Sequence, residues 1–591
     1  MAARPGGRRG LIDSGPSRAP RIAYVLGVTG LLVAGGAALL ASTASERELA
    51  SFLEARLPEI LGYAPRPERL AAYAHDLRLS LRGLGIAAIA GAIALLAARR
   101  RLEPRLASGL GRARVSAAEL ARAAGSFSAP RWELRAVAGL TVAALLLRLA
   151  LLFEPVRYDE ALTYLRGGRS LAAALGLFPD QNNHVLNSLG VFVTSHLLGA
   201  DGWSLRLTTL AAGVALVPAT YLVGRAHYDG VVGVVAAGLV AASSPLIEYS
   251  VNARGYALAA VFAMALFVVA PYLAREGNGA GWALFVLIAV LGMYSVPTTA
   301  YAVAAVTVWL AATMVVERRP IARRLAAALV AIAALTALLY SPALLLGQPG
   351  VTSNDDWVTD PAAWLGDAVG FWLRDLPAPL AALLGAGALA SIVLHRRLSR
   401  ERVPVLAPVA AVLLVAVAAG RAVEYQRAWI PLLPVLLVAC AAGLGALRTR
   451  VPGRAAAVAA GGLAIAAAGA TFALAGDSIA GADDVRAPSV ATVLRTQLGE
   501  DDLVLAQFPF DVLLRYEARE DRARILPAQT PDPGAEVARA GTVVLVAARR
   551  PGREAERDRI VRAYGPARRL RQLDTATILR LERRDAPRRD P

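Results

Sequence analysis

The sequence contains a single cysteine, Cys440, and no lysine. A disulfide needs two thiols and a thiolate metal cluster needs several, so the chain by itself can form neither. Cys440 lies within an apolar run, where a buried and unreactive thiol is the expected state. Three common patterns are also missing, namely a P-loop, a GxGxxG after a strand and a set of zinc ligands. Any chemistry must therefore come from other groups.

Because lysine is missing, all 63 basic residues are arginine, and with 45 acidic residues they give a formal net charge of +18. The arginines gather beside apolar segments, for example at 99–101, 318–319, 323–324 and 396–397. Loops on the cytoplasmic side of a membrane carry such an excess of positive charge. Topology therefore explains the basic balance better than a polyanionic partner does, and we expect no nucleic acid to bind.

Hydrophobic residues make up 56% of the 591 residues, and the mean hydropathy is +0.49. Soluble proteins are about 45–50% apolar, and here the excess is arranged in blocks. A run of about 20 apolar residues is long enough to cross a bilayer as a helix. The sequence therefore predicts an all-α polytopic membrane protein with about 13 transmembrane helices. The predicted segments are 22–41, 81–98, 134–153, 204–224, 230–249, 257–274, 281–296, 299–316, 325–346, 379–394, 403–420, 428–447 and 455–475.

The distribution of arginine also predicts the topology of these segments. The N-terminus is basic and runs into segment 22–41, which we interpret as an uncleaved membrane helix. If the N-terminus is cytoplasmic, nearly all dense arginine groups fall in inside loops, as the positive-inside rule requires. The apolar stretch 184–198 is then expected to lie along the outer surface. If it crossed the membrane, every later loop would change sides and the arginine groups would no longer fall in inside loops. The predicted outside loops are 154–203, 249–256, 347–378 and 420–428.

These features divide the chain into four predicted parts. Residues 1–98 form a basic tail and a transmembrane hairpin, and 99–133 form a cytoplasmic arginine-rich linker. The main membrane module is 134–475. Residues 477–591 are charged, with strand-like runs at 503–507, 542–548 and 576–581, and form a small soluble α/β domain outside the membrane. If the Ala- and Gly-rich segment 455–475 does not span, that domain is cytoplasmic instead.

The acidic pair Asp159–Glu160 follows the apolar segment 134–153. Acids at such a depth are costly and are usually kept for a task, although a solvated acidic loop is the alternative. Three more polar clusters lie in predicted outside loops. They are Asp180, Asn182, Asn183, His184 and Asn187; then Glu248, Asn252, Arg254 and Tyr256; and finally Arg421, Glu424 and Arg427.

This mixture of side chains suits transfer of a sugar from a lipid phosphate to a hydroxyl group. A carboxylate can take the proton of the hydroxyl nucleophile as a general base. Two arginines can hold a phosphate, and asparagine, histidine and tyrosine can hydrogen-bond sugar hydroxyls. Structural explanations remain open for several of these residues. His184 could cap a surface helix, Arg254 could pair with Glu248, Arg427 could reach towards the interface, and Glu160 could be a solvated neighbour of Asp159.

Four stretches resemble the GT-C glycosyltransferases, in the branch of protein O-mannosyltransferases and bacterial lipid A aminoarabinose transferases. Tyr158–Thr163 resembles the acidic motif of the first outside loop of that family, and Asn182–Ser188 resembles its His-Pro-centred stretch. Trp203–Leu207 and Ser244–Leu258 are the other two. The resemblance is clear over 134–275 and weaker to about residue 450. It covers neither the N-terminal hairpin nor the C-terminal tail.

The resemblance implies a polyprenyl- or dolichyl-phosphate-linked sugar donor, an inverting transfer and a site on the outer face of the membrane. It implies that Asp159 is the general base, with Glu160 as a second catalytic candidate. The residues expected to bind substrate are Tyr158, Asn183, His184, Asn187, Glu248, Asn252, Arg254, Tyr256 and Arg427. Relatives often have a glutamate at the position of Asn252 and a proline at that of Val185. Glu248 could replace the missing acid.

We therefore expect a multi-pass plasma-membrane glycosyltransferase that uses mannose or a similar sugar. Its partners would be the polyprenyl-phosphate-linked donor, membrane lipid and an acceptor that is a glycan, a lipid or a protein. A divalent cation would be compatible with the sequence, which does not require one. The alternative is a transporter or flippase of a lipid-linked saccharide, although we find no internal repeat of the kind transporters show. A non-catalytic assembly protein, in which the acidic pair is dispensable, is the third interpretation.

Overall fold

The computed structural model describes residues 19–61, 67–125, 127–176, 183–275, 277–345, 357–446, 487–499, 501–518, 524–528, 537, 539–549 and 552–582. Predicted segment 455–475 and the loop residues 177–182 and 346–356 lie outside this part of the chain. The chain divides into two compact units. The first contains the chain up to Glu59, Tyr63–Phe127 and Gly277–Gly281, and the second contains most of the remainder. The domain boundaries expected from the sequence stay predictions.

The first unit is built from the helices Ala19–Ala41, Glu46–Leu61 and Pro67–Gly125. The first and third helices pack closely through two glycines. A Cβ at Gly35 would lie 2.8 Å from the Ile89 side chain, and one at Gly85 would lie 2.7 Å from Leu39. Small residues permit this close approach between membrane helices.

The helix Pro67–Gly125 runs through most of the predicted linker 99–133. It continues for 59 residues through the arginine cluster at 99–101 and past Pro104. Alanine, leucine, arginine and glutamate dominate the stretch and are all strong helix formers. Charge patterning indicated a loop, whereas intrinsic helix propensity decided the conformation.

The membrane part of the second unit is helical throughout. Its longer helices are Arg131–Leu149, Leu207–His227, Gly230–Ala242, Tyr256–Arg275, Gly279–Ser295, Ala300–Glu317, Ala322–Leu345, Ala378–Val393, Leu406–Ala418 and Leu433–Gly445. Shorter helices are Tyr158–Thr163, Leu171–Gly176, Val185–Leu198, Gly202–Leu205, Ser244–Glu248, Pro361–Trp372 and His395–Leu398, with 3₁₀ turns at Pro297–Thr299 and Gln426–Leu432. Every predicted segment before residue 449 overlaps described helices, and the segments 230–249 and 428–447 each cover two elements. The core includes the fully buried Trp309, Trp429, Phe267 and Phe285.

Seven helical stretches among the described residues are long and apolar enough to cross a membrane. They are Tyr24–Ala41, Leu70–Arg105, Leu207–His227, Tyr256–Arg275, Pro297–Glu317, Ala322–Ser341 and Gln426–Gly445. Five shorter apolar helices of 10–17 residues accompany them, including Val185–Leu198. The chain is therefore a multi-pass membrane protein, as its hydropathy predicts.

The C-terminal part forms a five-stranded sheet with the strand order β2-β1-β3-β5-β4. The strands are β1 Leu503–Ala506, β2 Arg524–Pro527, β3 Val543–Ala548, β4 Ala567–Gln572 and β5 Ala576–Leu581, and the helices are Ala487–Gln497, Phe510–Glu517 and Glu554–Tyr564. β1 is parallel to β2 and β3, whereas β5 is antiparallel to β3 and β4. The α/β prediction is confirmed, and β1, β3 and β5 match the predicted strand-like runs. The arginine-rich β4 lacks the apolar pattern that reveals a strand.

The stretch 158–176 is interrupted and is not one continuous α-helix. The chain instead forms the helix Tyr158–Thr163, a π-helical turn at Tyr164–Gly168 and the helix Leu171–Gly176. Single π turns inside helices are often found at functional sites. A Cβ at Gly167 would lie 2.9 Å from Ser188, and one at Gly168 would lie 2.9 Å from Val191. The two glycines of the π turn therefore pack closely against the helix Val185–Leu198.

The crossing of Ala378–Val393 and Leu433–Gly445 gives a first prediction. A Cβ at Gly387 would lie 2.7 Å from the Cys440 carbonyl oxygen, and a Cβ at Gly443 would overlap the backbone of Gly387. We expect Gly443→Ala to lower the free energy of unfolding by about 1–3 kcal/mol, because the helices must separate. The melting temperature of the detergent-purified protein measures this. Gly385→Ala is the matched control, since nothing lies within 4 Å of a Cβ there; equal melting of the two variants would contradict the close packing.

Candidate functional site

The acidic pair opens the short helix Tyr158–Thr163, and its two carboxylates lie in different surroundings. Arg157, the residue before the helix, is extended with φ −84° and ψ 161°. Its backbone N–H donates to Glu160 Oε2 at 2.9 Å, which closes the first turn of the helix. Adjacent helical residues project about 100° apart, so one acid turns inward and the other outward. Glu160 is buried, with 1% of its side chain exposed, whereas 30% of the Asp159 side chain is exposed.

Glu160 forms a buried, two-bond ion pair with Arg206, at the start of the helix Leu207–His227. Arg206 Nε lies 2.7 Å from Oε1, and Nη2 lies 2.6 Å from Oε2. The Ala253 N–H also donates to Oε1 at 2.9 Å. Burial alone would raise the pKa of the Glu160 carboxyl, but the Arg206 guanidinium and the Arg157 N–H hold that pKa below its ordinary value.

The remaining Arg206 donors bind the chain that enters the acidic helix. Nη1 donates to the carbonyl oxygens of Leu152 at 2.8 Å and Glu154 at 2.7 Å, and Nη2 donates to that of Pro155 at 3.0 Å. The pair therefore joins the end of the segment 134–153, the acidic helix and the loop 249–256. Both Glu160 oxygens are thus engaged by groups of this chain.

Asp159 faces two arginines from other loops. Arg254 Nε lies 4.0 Å from Asp159 Oδ2, and the Arg254 side chain is only 2% exposed. Arg427 interacts electrostatically with Asp159 and Tyr256, and its Cζ lies 4.7 Å from the centroid of the Tyr425 ring. Neighbouring cations favour the ionised form of a carboxylate. Arg254 and Arg427 thus meet around Asp159, although they follow it by almost a hundred and about 270 positions.

His184 is buried beneath this cluster. Its Nδ1 accepts the Gly255 N–H at 2.8 Å, and its ring meets Tyr256 edge to face, with centroids 4.8 Å apart. Burial, together with the charges of Arg254 and Arg427, holds the pKa of His184 well below its ordinary value. His184 is therefore neutral at physiological pH and holds the loop 249–256 in position. It precedes the helix Val185–Leu198, but its side chain makes no cap hydrogen bond there, so the helix-cap explanation is wrong.

The three asparagines have different surroundings. Asn183 donates to the Ala174 carbonyl at 3.2 Å and accepts from the Ser188 hydroxyl at 2.8 Å, which ties two short helices together. Asn187 donates to the Ala253 carbonyl at 2.7 Å. Within the described residues, the buried Oδ1 atoms of Asn187 and Asn252 have no hydrogen-bond partner. Buried acceptors without partners are costly, so these two oxygens are suited to receive the hydroxyls of a bound molecule.

Glu248 pairs with arginines other than Arg254. Its Oε1 lies 3.0 Å from Arg157 Nη1, and its Oε2 lies 2.5 Å from Arg374 Nη2. The suggestion that Arg254 pairs with Glu248 is therefore wrong, since Arg254 lies beside Asp159. Both Glu248 oxygens are held by cations. Glu248, at the end of the predicted segment 230–249, thereby joins two of the predicted outside loops, 154–203 and 347–378.

Tyr158 lies against the C-terminal sheet domain. Its ring meets Phe508 with centroids 4.8 Å apart at 57°. Tyr164, in the π turn, packs edge to face on Tyr516 at 5.7 Å, and the Tyr516 hydroxyl donates to the Ala200 carbonyl at 2.6 Å. The C-terminal domain therefore shares a core with the acidic helix.

The donors around Asp159 do not suit a metal ion. In the described part of the chain, no three histidine, cysteine, aspartate or glutamate side chains come together as ligands. Hard divalent cations need several oxygen ligands, whereas the acids here face arginines. These residues therefore provide no donor set for the divalent cation that the sequence allows but does not require.

Asp159, His184, Arg254, Tyr256 and Arg427 lie in one cluster, close to Asn187 and Asn252. Four predicted residues have structural contacts instead, namely Tyr158, Glu160, Asn183 and Glu248. Sequence reasoning missed Arg157, Arg206 and Arg374 as members of the site. One signal was available. The positive-inside rule assigns arginine to the predicted cytoplasmic loops, and none of these three arginines lies in such a loop.

The described helices and sheet define a class by architecture, the polytopic membrane proteins with a C-terminal α/β domain. The solved structures that the chain resembles include ArnT from Cupriavidus metallidurans in the apo state, with a TM-score of 0.54 and 12% identity over 76% of this chain and 97% of that chain. ArnT from the same organism bound to undecaprenyl phosphate gives a TM-score of 0.54 and 13% identity over 77% and 98% of the two chains. The predicted fold is thereby confirmed. At this identity the likeness establishes the fold alone.

Sequence comparisons add nothing to this likeness. No protein-family model matches the chain. No curated protein sequence matches it either.

The buried pair Glu160–Arg206 gives a second prediction. Glu160→Gln leaves the Arg206 guanidinium buried without its anion, so we expect the free energy of unfolding to fall by about 3–5 kcal/mol. Thermal unfolding of the detergent-purified protein measures the change. Asp159→Asn is the matched control, because it alters the neighbouring, partly exposed acid, and its melting temperature should stay close to that of the wild type.

The same pair predicts a pH dependence. The pKa of Glu160 is lower in the folded state, so its stabilisation is complete above the ordinary carboxyl value of 4.5 and is lost as the pH falls through the folded pKa. The difference in stability between wild type and Glu160→Gln should therefore shrink on acidification. A difference that grew below pH 4.5 would contradict this account.

Proposed function

We propose that this protein is a membrane glycosyltransferase that moves a sugar from a polyprenyl-phosphate-linked donor to a hydroxyl acceptor. The observation that carries the proposal is the placement of Asp159 beside Arg254 and Arg427. A carboxylate and two guanidinium groups provide a base and a phosphate-binding pair in one place. The GT-C fold supports the proposal, and one of the ArnT structures that the chain resembles is bound to undecaprenyl phosphate.

Arg254 and Arg427 are the proposed ligands of the donor phosphate. Arginine binds phosphate through planar, paired hydrogen bonds, and its charge persists at every physiological pH. Both guanidinium groups lie near Asp159, so a phosphate bound between them would lie beside the proposed base.

In the proposed transfer, the acceptor oxygen attacks the anomeric carbon of the sugar from the side opposite the phosphate. The bond between that carbon and the phosphate oxygen breaks, and the polyprenyl phosphate leaves with the electron pair. Asp159 takes the acceptor proton, so charge and atoms balance and the anomeric configuration inverts. The unpartnered oxygens of Asn187 and Asn252 would accept hydroxyls of the sugar, which we expect to be mannose or a similar sugar.

Neutral His184 supports this arrangement by accepting the Gly255 N–H beside Arg254. Tyr158, Asn183, Glu160 and Glu248 are proposed to position the site rather than to contact the sugar. The proposed orientation has the N-terminus in the cytoplasm of a plasma-membrane protein, with Asp159 and the C-terminal domain outside. The acceptor is a glycan, a lipid or a protein, and membrane lipid surrounds the helices.

The base assignment gives a third prediction. Asp159→Asn should abolish sugar transfer, because the amide cannot take the acceptor proton, while undecaprenyl phosphate should still bind through the arginines. The purified variant is assayed with a radiolabelled polyprenyl-phosphate sugar and candidate acceptors. Undiminished turnover would refute the role of Asp159. A wild-type protein that binds or moves the donor across vesicles without any transfer would instead support a flippase, the alternative function.

The phosphate assignment gives a fourth prediction. Arg427→Gln should weaken undecaprenyl phosphate binding about tenfold or more, since one charge-assisted contact contributes about 1.5–3 kcal/mol. Arg421→Gln is the matched control in the same loop, because its guanidinium lies over the Trp357 ring, 5.4 Å from the centroid. Equal weakening by the two variants would show that general positive charge, rather than the Arg427 contact, attracts the phosphate.

A further inference from the structure

The C-terminal domain contains a cleft that the proposed transfer chemistry does not use. Its volume is about 740 Å³, and it lies between the helix Glu554–Tyr564, the end of β3 and the strands β4 and β5. Ligand sites commonly occupy about 300–1,000 Å³. The cleft is therefore large enough for two or three sugar-sized units.

The lining of the cleft is polar and carries a net positive charge. Its charged members are the arginines Arg549, Arg553, Arg557 and Arg569, and the acids Glu554 and Asp558. Gln572 and Thr577 add side chains that hydrogen-bond hydroxyl groups. A lining of this kind disfavours an apolar ligand and suits one that combines carboxylate or phosphate groups with hydroxyls.

Two of these arginines are oriented by neutral atoms. Arg549 Nη1 donates to the Leu573 carbonyl at 3.1 Å, and Arg569 Nη1 donates to Gln572 Oε1 at 2.9 Å. These contacts fix the guanidinium groups without neutralising their charge. Each guanidinium has five N–H donors, so each keeps donors for an anion.

A chain of side-chain contacts joins the cleft to the acidic helix. Arg553, in the cleft lining, places its Cζ 5.3 Å from the centroid of the Phe508 ring. Phe508 in turn packs on Tyr158 at 4.8 Å, and Tyr158 immediately precedes Asp159. Two aromatic rings thus connect the basic cleft with the residue that precedes the proposed base.

We infer that this cleft binds the anionic part of the acceptor, a saccharide chain that carries carboxylate or phosphate groups, and so presents a hydroxyl of that chain to Asp159. The inference rests on the proposed function and narrows its acceptor to an acidic glycan. The basic cleft supplies the affinity, and the site around Asp159 supplies the chemistry. This arrangement gives the C-terminal domain a role in acceptor choice.

Binding to the full-length protein in a neutral detergent tests the inference. The probe is a fluorescent hexamer of galacturonic acid, measured by anisotropy, and neutral maltohexaose is the uncharged comparison. The cleft variant is Arg549→Gln with Arg569→Gln, the two arginines that are held by neutral atoms. The matched control is Arg568→Gln with Arg571→Gln, which removes the same charge from exposed positions of β4 outside the cleft.

We expect the acidic hexamer to bind the wild type and the control alike, and the cleft variant to bind it about tenfold or more weakly. Maltohexaose should not bind measurably. Equal weakening by both double variants, or no binding of the hexamer to the wild type, would overturn the inference. Cleft-dependent binding of short-chain phosphatidylglycerol in place of the hexamer would also overturn it, by assigning the cleft to lipid headgroups.

Undecaprenyl phosphate binding separates this inference from the proposed function. The cleft variant should bind that lipid as the wild type does, because Arg254 and Arg427 are unchanged. If transfer chemistry proves absent while the hexamer still binds at the cleft, the proposed function fails and the anion site stands. If the cleft fails to bind the hexamer while sugar transfer still depends on Asp159, the cleft inference fails and the proposed function stands.

Discussion

The site depends on the buried ion pair between Glu160 and Arg206. A buried pair is costly unless all its remaining hydrogen-bonding groups are satisfied, and here backbone groups from three segments complete it. The pair therefore fixes the entry to the acidic helix, the helix itself and the loop at Ala253. Because the pair holds Glu160 inward, the preceding residue, Asp159, points away from the pair and lies beside Arg254. Two consecutive carboxylates thus serve separate purposes.

Arginine organises the rest of the site in the same manner. Glu248 is held between Arg157 and Arg374, and Asp159 faces Arg254 and Arg427. Glu160, Glu248 and Asp159 are therefore each matched with cations from other segments of the chain. Arginine suits this role better than lysine, since its planar fork forms several bonds at once and its charge is never lost. The absence of lysine from the sequence is consistent with such a network.

Much of the fold could be predicted from the sequence, because apolar blocks, strand-like runs and arginine placement are local signals. The acidic pair, His184 and the two phosphate-binding candidates were also visible as outside residues. Long-range partners were not. Arg374 lies 126 positions from Glu248, and no periodicity indicates which of many arginines pairs with which acid. The π turn and the helix past residue 99 were missed for another reason, since packing and helix propensity outweighed the local charge pattern.

The contact between Tyr158 and Phe508 has a thermodynamic consequence. It places the first turn of the acidic helix and the C-terminal sheet in one shared core, so neither can shift without a change in the other. Linkage is reciprocal: if a molecule that binds the sheet domain changes affinity at Asp159, occupancy at Asp159 changes affinity at the sheet domain by the same factor. The shared core supplies the physical contact through which such a coupling would act.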